Sequence, residues 1–393
     1  MRSETNCTIT SGNVFTETQK CLLNAKLTKN HGWLCTAALT MSIVLRAAAR
    51  SISVTAACRD MTHAPSDQAI LNAVSDGLPK TLPVLEQRIN DCLTERLPLL
   101  MRRRFWPVAI DWHLQPYYGK PHKKRNEIYK SKPKQGTSKF HAYATACIVE
   151  YGRRYTLALT WVRHKESTIK VLKRLLAQIR KIGLKIRHLL LDRAFFNVPV
   201  MHFLQEEELP FLMPVMFRGR HSKKRGKKAT GLRAMRQKKA GWHPYTMKSK
   251  NQEVTFRICI GYRTYHDKKG KRRTKKLLFA AWRVHGKPTK IRELYRKRFG
   301  IETSYRQMRQ ARIYTCTREP HLRLFFLAVG LILRNIWVWL HQTRLAEGSR
   351  NNPTMRLELL RFKRMLDWIV HEVETLYHDG SSLCVTWQRL PRN

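Results

Sequence analysis

Two short apolar runs, residues 107–110 and 186–191, each stop at an aspartate, Asp111 and Asp192. Runs of this length, rich in Val, Ile and Leu and closed by a charge, read as buried strands. Neighbouring strands of that kind bring both carboxylates out at one sheet edge, where open α/β sheets gather their ligands. The acids are conspicuous because they are few: 27 Asp+Glu stand against 76 Lys+Arg in 393 residues, a formal net charge of +49.

The surrounding rhythm supports a sheet. Residues 141–149 and 154–162 read as two strands joined at Tyr151-Gly152, a hairpin signal. A helix is expected over 168–182, ending at Gly183, then the strand 186–191, a helix over 198–206 and a strand over 211–215. This order predicts a mixed α/β sheet with helices packed against it. Most of the basic charge that follows lies in 218–239 and 268–276, around a strand pair at 253–262 and 276–284. Pro288 opens a further helix, 321–342 reads as a mostly apolar helix, and Asn352-Pro353 is expected to cap a last amphipathic helix carrying Leu359, Phe362, Leu366, Ile369, Val373 and Leu376. Before the sheet, 54–61 and 68–74 read as two short helices around the break Ala64-Pro65-Ser66-Asp67, the outline of a helix-turn-helix.

Hydrophobic content of 43% excludes a disordered basic tail, so the charge belongs to a folded protein. A field of that sign attracts phosphate backbones, which makes nucleic acid the leading partner, ahead of an anionic membrane or a place inside a ribonucleoprotein. The nine cysteines are scattered, odd in number and without a Cys-x-x-Cys, which argues against a disulfide framework or a zinc ribbon and for a reducing cytoplasm. The apolar run 324–333 is shorter than a membrane span, and the first twenty residues hold Glu4 and Glu17 without an apolar core, so neither a membrane span nor a secretory signal is expected.

The third acid is Glu302, in the stretch from Tyr295 to Arg309, where it stands among Arg296, Lys297, Arg298, Arg306 and Arg309. Steps of three, four and seven residues put Tyr295, Arg298, Glu302 and Arg309 on one stripe of a continuous helix. Three carboxylates meeting at one point repel each other unless a cation sits among them, and oxygen-only ligands select Mg²⁺ or Mn²⁺. Two such ions activate a water or a 3′ hydroxyl and stabilise the leaving oxygen of an in-line phosphoryl displacement. The plainer alternative is that Asp192 caps a following helix and Glu302 pairs with Arg298 or Arg306 in a surface network.

Asp111 in Ala-Ile-Asp-Trp-His, Asp192 in Leu-Leu-Leu-Asp-Arg-Ala-Phe-Phe and Glu302 resemble the three acids of DDE-type insertion-sequence transposases. The spacing Tyr295, Arg298, Glu302, Arg309 is similar to the Tyr-Arg-Glu-Lys signature of one large superfamily of these, with Arg in the Lys position, a planar fork in place of a compact ammonium. Pro-Tyr-Tyr-Gly-Lys at 116–120 resembles a branch of the same superfamily. The resemblance implies an RNase H-like core interrupted by a β-rich insertion, with Asp111, Asp192 and Glu302 as catalytic metal ligands for two Mg²⁺ or Mn²⁺ ions. It also implies cleavage of double-stranded DNA at transposon ends, strand transfer into target DNA, and a homodimer on DNA. Tyr295 and Arg298 are then expected to touch DNA near the transposon end.

The organisation that follows is a poorly ordered 1–30, a helical 31–104 with the possible helix-turn-helix, a first core part at 105–216, a basic β-rich insertion at 217–286, a second core part at 287–342, and a C-terminal helix and tail at 343–393. Further DNA contacts are expected from Arg306, Arg309, the basic loop Lys120, Lys123, Lys124 and Arg125, and Trp282 stacking on a base, with packing and solvated charge as the alternatives. The clusters Lys223-Lys224-Arg225 and Lys271-Arg272-Arg273 read the same way, and His113 faces the same side of its strand as Asp111. The expected setting is the cytoplasm, on the nucleoid, with no small-molecule substrate. The competing readings are a DNA-binding protein, helix-turn-helix or degenerate transposase, that does not cut, and a basic structural component whose three acids share no geometry.

Overall fold

The computed structural model of the protein describes residues 8–61, 64–220, 228–249, 251–349 and 352–377. The helices are α1 (Ser11–Asn24), α2 (Ala37–Arg50), α3 (Val54–Arg59), α4 (Asp67–Gly77), α5 (Leu82–Glu95), α6 (Leu99–Arg102), α7 (Thr168–Lys181), α8 (Val198–Glu206), α9 (Gly231–Ala234), α10 (Pro288–Arg296), α11 (Phe299–Met308), α12 (Pro320–Thr343) and α13 (Phe362–Leu376). The chain divides into two compact units, one from the described parts of Met1–Cys92, Met308–Leu333 and Glu358–Asn393, the other from Leu93–Gln307 and Arg334–Leu357.

In the first unit α2 is buried along its length from Thr40 to Ala49, and α1, α3 and α13 pack on it. Its Arg46, 2% exposed, donates to Glu374 Oε1 of α13 at 3.1 Å and to the Ala57 carbonyl of α3 at 3.0 Å, which supplies the partners a buried charge requires. Residues 8–30 are not the loose segment expected from their polarity. Thr10 and Asn13 form a reciprocal capping box, and Val14, Phe15 and Leu22 are buried. The α3–α4 pair matches the expected helix-turn-helix outline, with Ser66 Oγ accepting from the Ala69 amide. Yet α4 carries Asp67 and Asp76 and no Lys or Arg, a poor complement to a phosphate backbone.

The second unit is built on one nine-stranded sheet: β1 (Phe105–Pro116), β2 (Tyr129–Lys134), β3 (Thr137–Ile148), β4 (Thr156–Val162), β5 (Lys185–Leu191), β6 (Phe211–Pro214), β7 (Gly241–Ser249), β8 (Gln252–His266) and β9 (Arg272–Trp282). The order β4-β3-β1-β5-β6 has three antiparallel strands followed by two parallel additions, the RNase H-like arrangement expected. The hairpin at Tyr151-Gly152 joins β3 to β4, with Gly152 at φ +70. Helix α7 packs on β3 and β4, and α8 on β7 and β8. The insertion is not a separate β body. Its strand β9 pairs antiparallel with β6, and β8 and β7 follow, so the core sheet simply continues. Strand β7 was not expected because Pro244 interrupts its pattern; Pro is tolerated there because β7 is an edge strand.

Helix α12 is 24 residues long, as expected for 321–342 to within one residue at each end, and is apolar enough to cross a membrane by length and composition. Its most apolar window is 89% buried within the protein, which makes it a core helix. Asn335 accepts from the Thr156 amide and donates to the Leu93 and Thr156 carbonyls at 2.8–3.0 Å, while the buried Arg334 donates to the Arg154 carbonyl at 2.6 Å. The C-terminal part also differs from expectation. Asn352–Thr354 is a strand paired with Glu347–Ser349, and α13 starts only at Phe362, leaving Leu359 half exposed. The tail beyond 377 lies outside the described residues.

Candidate active site

Strands β1 and β5 run parallel, and their last paired residues are Ile110 and Leu191. Asp111 and Asp192 are the next residue on each strand, so the expected juxtaposition at the end of β5 is present. Asp111 does not end β1, however. The strand runs on to Pro116 because β3 pairs with it along its other edge, with Asp111 opposite Thr145. Asp192 leads into a 3₁₀ turn, Arg193–Phe195, and makes no side-chain capping bond there, which disposes of the capping alternative. Trp112 lies parallel to Phe195 of that turn, ring centroids 5.7 Å apart, and so fastens the two acid-bearing segments together.

Glu302 sits in the first turn of α11. The helix before it is broken. Lys297 and Arg298 form a tight turn between α10 and α11, with the amides of Lys297, Arg298, Gly300 and Ile301 each bonding three residues back. The single stripe expected for Tyr295, Arg298, Glu302 and Arg309 is therefore not continuous. The turn aims Arg298 inward, 6% exposed at its side chain, where Nη2 lies 3.3 Å from Asp111 Oδ2 and 3.7 Å from Asp192 Oδ1, and Nη1 lies 2.8 Å from Glu302 Oε1. All three acids thus converge on one guanidinium. Glu302 does pair with Arg298, as the salt-bridge alternative held, but at a junction where one buried guanidinium meets three carboxylates rather than as an isolated surface pair.

Exposure grades the three acids. The Asp111 side chain is 15% exposed, while those of Asp192 and Glu302 are nearly half exposed. Burial pushes the Asp111 carboxyl up to about 6 from its usual 3.8, against the pull of the Arg298 charge and of the Trp112 amide, which donates to Asp111 Oδ1 at 2.9 Å. Two tyrosines brace the site. Tyr295, expected to touch DNA, is buried and donates to the Leu191 carbonyl at 3.3 Å, directly before Asp192, with its ring against Phe279. Tyr305, which the sequence reading missed, joins Thr145 Oγ1 at 2.6 Å and the Asp111 carbonyl at 3.3 Å, linking α11 to β3 and β1. Its place one turn after Glu302 was the available signal. Burial raises both phenols, so both stay protonated donors at neutral pH. His113 packs its ring 4.8 Å from that of Tyr305.

A family model described as the transposase DDE domain matches residues 104–335, more than half of the chain. The chain belongs to the DDE transposase family. Among solved structures, a piggyBac transposase in a synaptic complex with hairpin DNA, determined by cryo-EM, is similar over 98% of this chain and 84% of its own, with 12% identity and a TM-score of 0.51. That likeness speaks for the fold alone. No curated protein matches the sequence.

The transposase has a cavity of about 860 Å³ beside the acids, lined by Arg193, Arg236, Arg263, Lys275, Lys276, Arg292 and Arg296 together with Phe217, Phe279, Tyr295 and Phe299, and by no acidic residue. Arg236, Lys275 and Lys276 belong to the basic stretches 218–239 and 268–276, whereas Arg193, Arg263, Arg292 and Arg296 come from other segments; the β8–β9 pairing sets Arg263 opposite Lys275. The residues singled out as DNA contacts, other than Tyr295 and Arg298, fall elsewhere. Arg306 on α11 and Arg309 in the 3₁₀ turn Arg309–Ala311 are exposed, and among the described residues neither is a partner of the three acids. The basic loop does not lie just past Asp111. Lys120, Lys123, Lys124 and Arg125 are exposed beyond the end of β1, five strand residues or about 16 Å of strand further on. Glu127 holds that loop by accepting from the His122 and Lys123 amides. Trp282 stacks on Phe211, which pairs with Leu189 rather than with the residues next to Asp192, and Arg283 covers its ring at 4.4 Å, so it is not brought to the acids. Arg273 in the Lys271-Arg272-Arg273 cluster pairs with Asp267, and Lys223-Lys224-Arg225 lies outside the described residues.

The family generally uses divalent metals, and the donor chemistry of this site fits one: three carboxylates from β1, the end of β5 and α11 around one point. Among the described residues no group of three His, Cys, Asp or Glu is close enough to hold a metal as it stands. The guanidinium holds the carboxylates at its own longer contact distances.

Proposed function

We propose that the transposase cuts double-stranded DNA at the ends of its element and joins those ends to target DNA, with Mg²⁺ or Mn²⁺ held by Asp111, Asp192 and Glu302. The observation that carries this reading is the convergence of the three carboxylates on Arg298 from three separate elements. A structural network on a protein of this charge has no need to gather its few acids at one sheet edge. Bound there, a metal pair would supply an activated water or 3′ hydroxyl and charge stabilisation for the leaving 3′ oxygen.

The chain's own residues do the rest. Tyr295 and Tyr305 fix the backbone beside Asp192 and at Asp111, so the acids keep their spacing while charges change around them. The cations of the adjoining cavity suit phosphates, and the exposed Phe299 ring offers a face to a base, so a DNA strand leaving the acids has a ready path. Joining two ends needs two such sites, hence a homodimer on DNA. The test is incubation with DNA carrying the element's own terminal sequences in Mg²⁺ and again in EDTA. End cleavage in Mg²⁺ alone is expected; binding without cleavage in either would leave a DNA-binding protein.

A further inference from the structure

Arg298 takes up the very oxygens that a metal would need. Asp111 has no free carboxylate oxygen: Oδ1 accepts from Trp112 and Oδ2 faces Arg298. Glu302 Oε1 and Asp192 Oδ1 face the same guanidinium. Contacts of 2.8–3.7 Å suit a guanidinium, whereas Mg²⁺ draws carboxylate oxygens to about 2.1 Å, so ion and side chain cannot both sit at the centre of the three acids. The arginine is also incompletely held. Its Nε is buried without a hydrogen-bond partner, and its backbone belongs to the turn between α10 and α11 rather than to a helix interior.

We propose that Arg298 is a built-in counter-ion that competes with divalent metal for Asp111, Asp192 and Glu302, so that metal entry and withdrawal of the guanidinium are one exchange. This rests on the metal-site reading above. With no metal bound, one positive charge offsets three negative ones and keeps the acids gathered. A divalent ion outbids it on charge, and the released fork, displaced from the centre but still tethered to the turn beside it, is free to take a phosphate oxygen of the DNA. Arg298 acts here through the acids, as a positioning residue.

The experiment is Mn²⁺ binding by the full-length protein without DNA, followed by electron paramagnetic resonance and calorimetry, for wild type, Arg298→Gln and Asp111→Asn, with circular dichroism to verify folding. Relief from competition is expected to tighten Mn²⁺ binding to Arg298→Gln at least about fivefold, by analogy with the removal of any competing charge partner. Equal or weaker binding by the folded variant overturns the inference. If the glutamine variant does not fold, Arg298→Lys decides: it keeps the charge but loses the fork, so its affinity should lie above wild type, and wild-type or lower affinity overturns the inference too. Asp111→Asn separates the two levels. If wild type binds no Mn²⁺, or Asp111→Asn binds like wild type, the metal site fails and the inference with it; if Asp111→Asn loses binding while Arg298→Gln shows no gain, only the counter-ion role fails.

Discussion

Replacing Asp111 by Asn should stabilise the metal-free protein. The carboxyl is raised from 3.8 to about 6 by burial, so between those values the folded state holds its proton more tightly than the unfolded chain does. Stability contributed by this group is therefore greatest at low pH, falls as pH rises from about 4 to about 6, and stays reduced above that. At pH 8 the ionised carboxyl costs the fold about 3 kcal/mol, and at pH 5 about half as much. Asn mimics the neutral form at every pH. It has one acceptor where the carboxylate used two, for Trp112 and Arg298, which takes back about 1 kcal/mol. The net gain at pH 8 is then about 2 kcal/mol, or about 4–8 °C in melting midpoint for a unit of this size. The assay is thermal melting in EDTA, followed by circular dichroism, of wild type and variant at pH 8 and pH 5. The gap should narrow at the lower pH. A variant that melts at or below wild type at pH 8 refutes the argument that Asp111 is a charge held at a cost for function.

Two further outcomes are expected. Tyr305→Phe removes the hydroxyl that ties α11 to Thr145 and to the Asp111 backbone, so the cleavage rate at saturating enzyme should fall about tenfold, roughly 1.4 kcal/mol of barrier, with DNA affinity within about twofold of wild type; an affinity loss with unchanged rate would make Tyr305 a DNA contact instead. Arg263→Ala with Lys275→Ala should lower the slope of log affinity against log salt by about one for each phosphate that the two side chains no longer neutralise, measured by fluorescence anisotropy; an unchanged slope would remove the cavity from the DNA path.

How legible the site was depended on the range of the interactions that build it. The acids, the strand order and α7 and α8 follow from local apolar patterning, and they stand nearly where the sequence puts them. Features decided by distant partners do not. The length of β1 beyond Asp111 is set by β3, a pairing that the residues after Asp111 do not encode. The continuation of the sheet through β9, β8 and β7 depends on β6 meeting β9, and Pro244 disguised the last of these strands. Helical pitch gave one stripe for Tyr295 to Arg309, but the turn at Lys297-Arg298 breaks it and sends Arg298 inward, where three acids outweigh local propensity. The basic stretches 218–239 and 268–276 supply Arg236, Lys275 and Lys276 to the cavity, but the cavity itself was not legible because it forms only where β8, β9, α10 and two 3₁₀ turns meet. At the N-terminus the reverse holds: the Thr10–Asn13 capping box is local and readable, but polar composition masked it.

The most direct test of the account is cleavage of DNA bearing the element's ends, in Mg²⁺, by wild type and by Asp111→Asn, Asp192→Asn and Glu302→Gln, with DNA binding measured in parallel. The account expects each substitution to abolish end cleavage while binding persists. Cleavage near the wild-type rate by any one of the three would contradict the claim that these carboxylates form the catalytic centre.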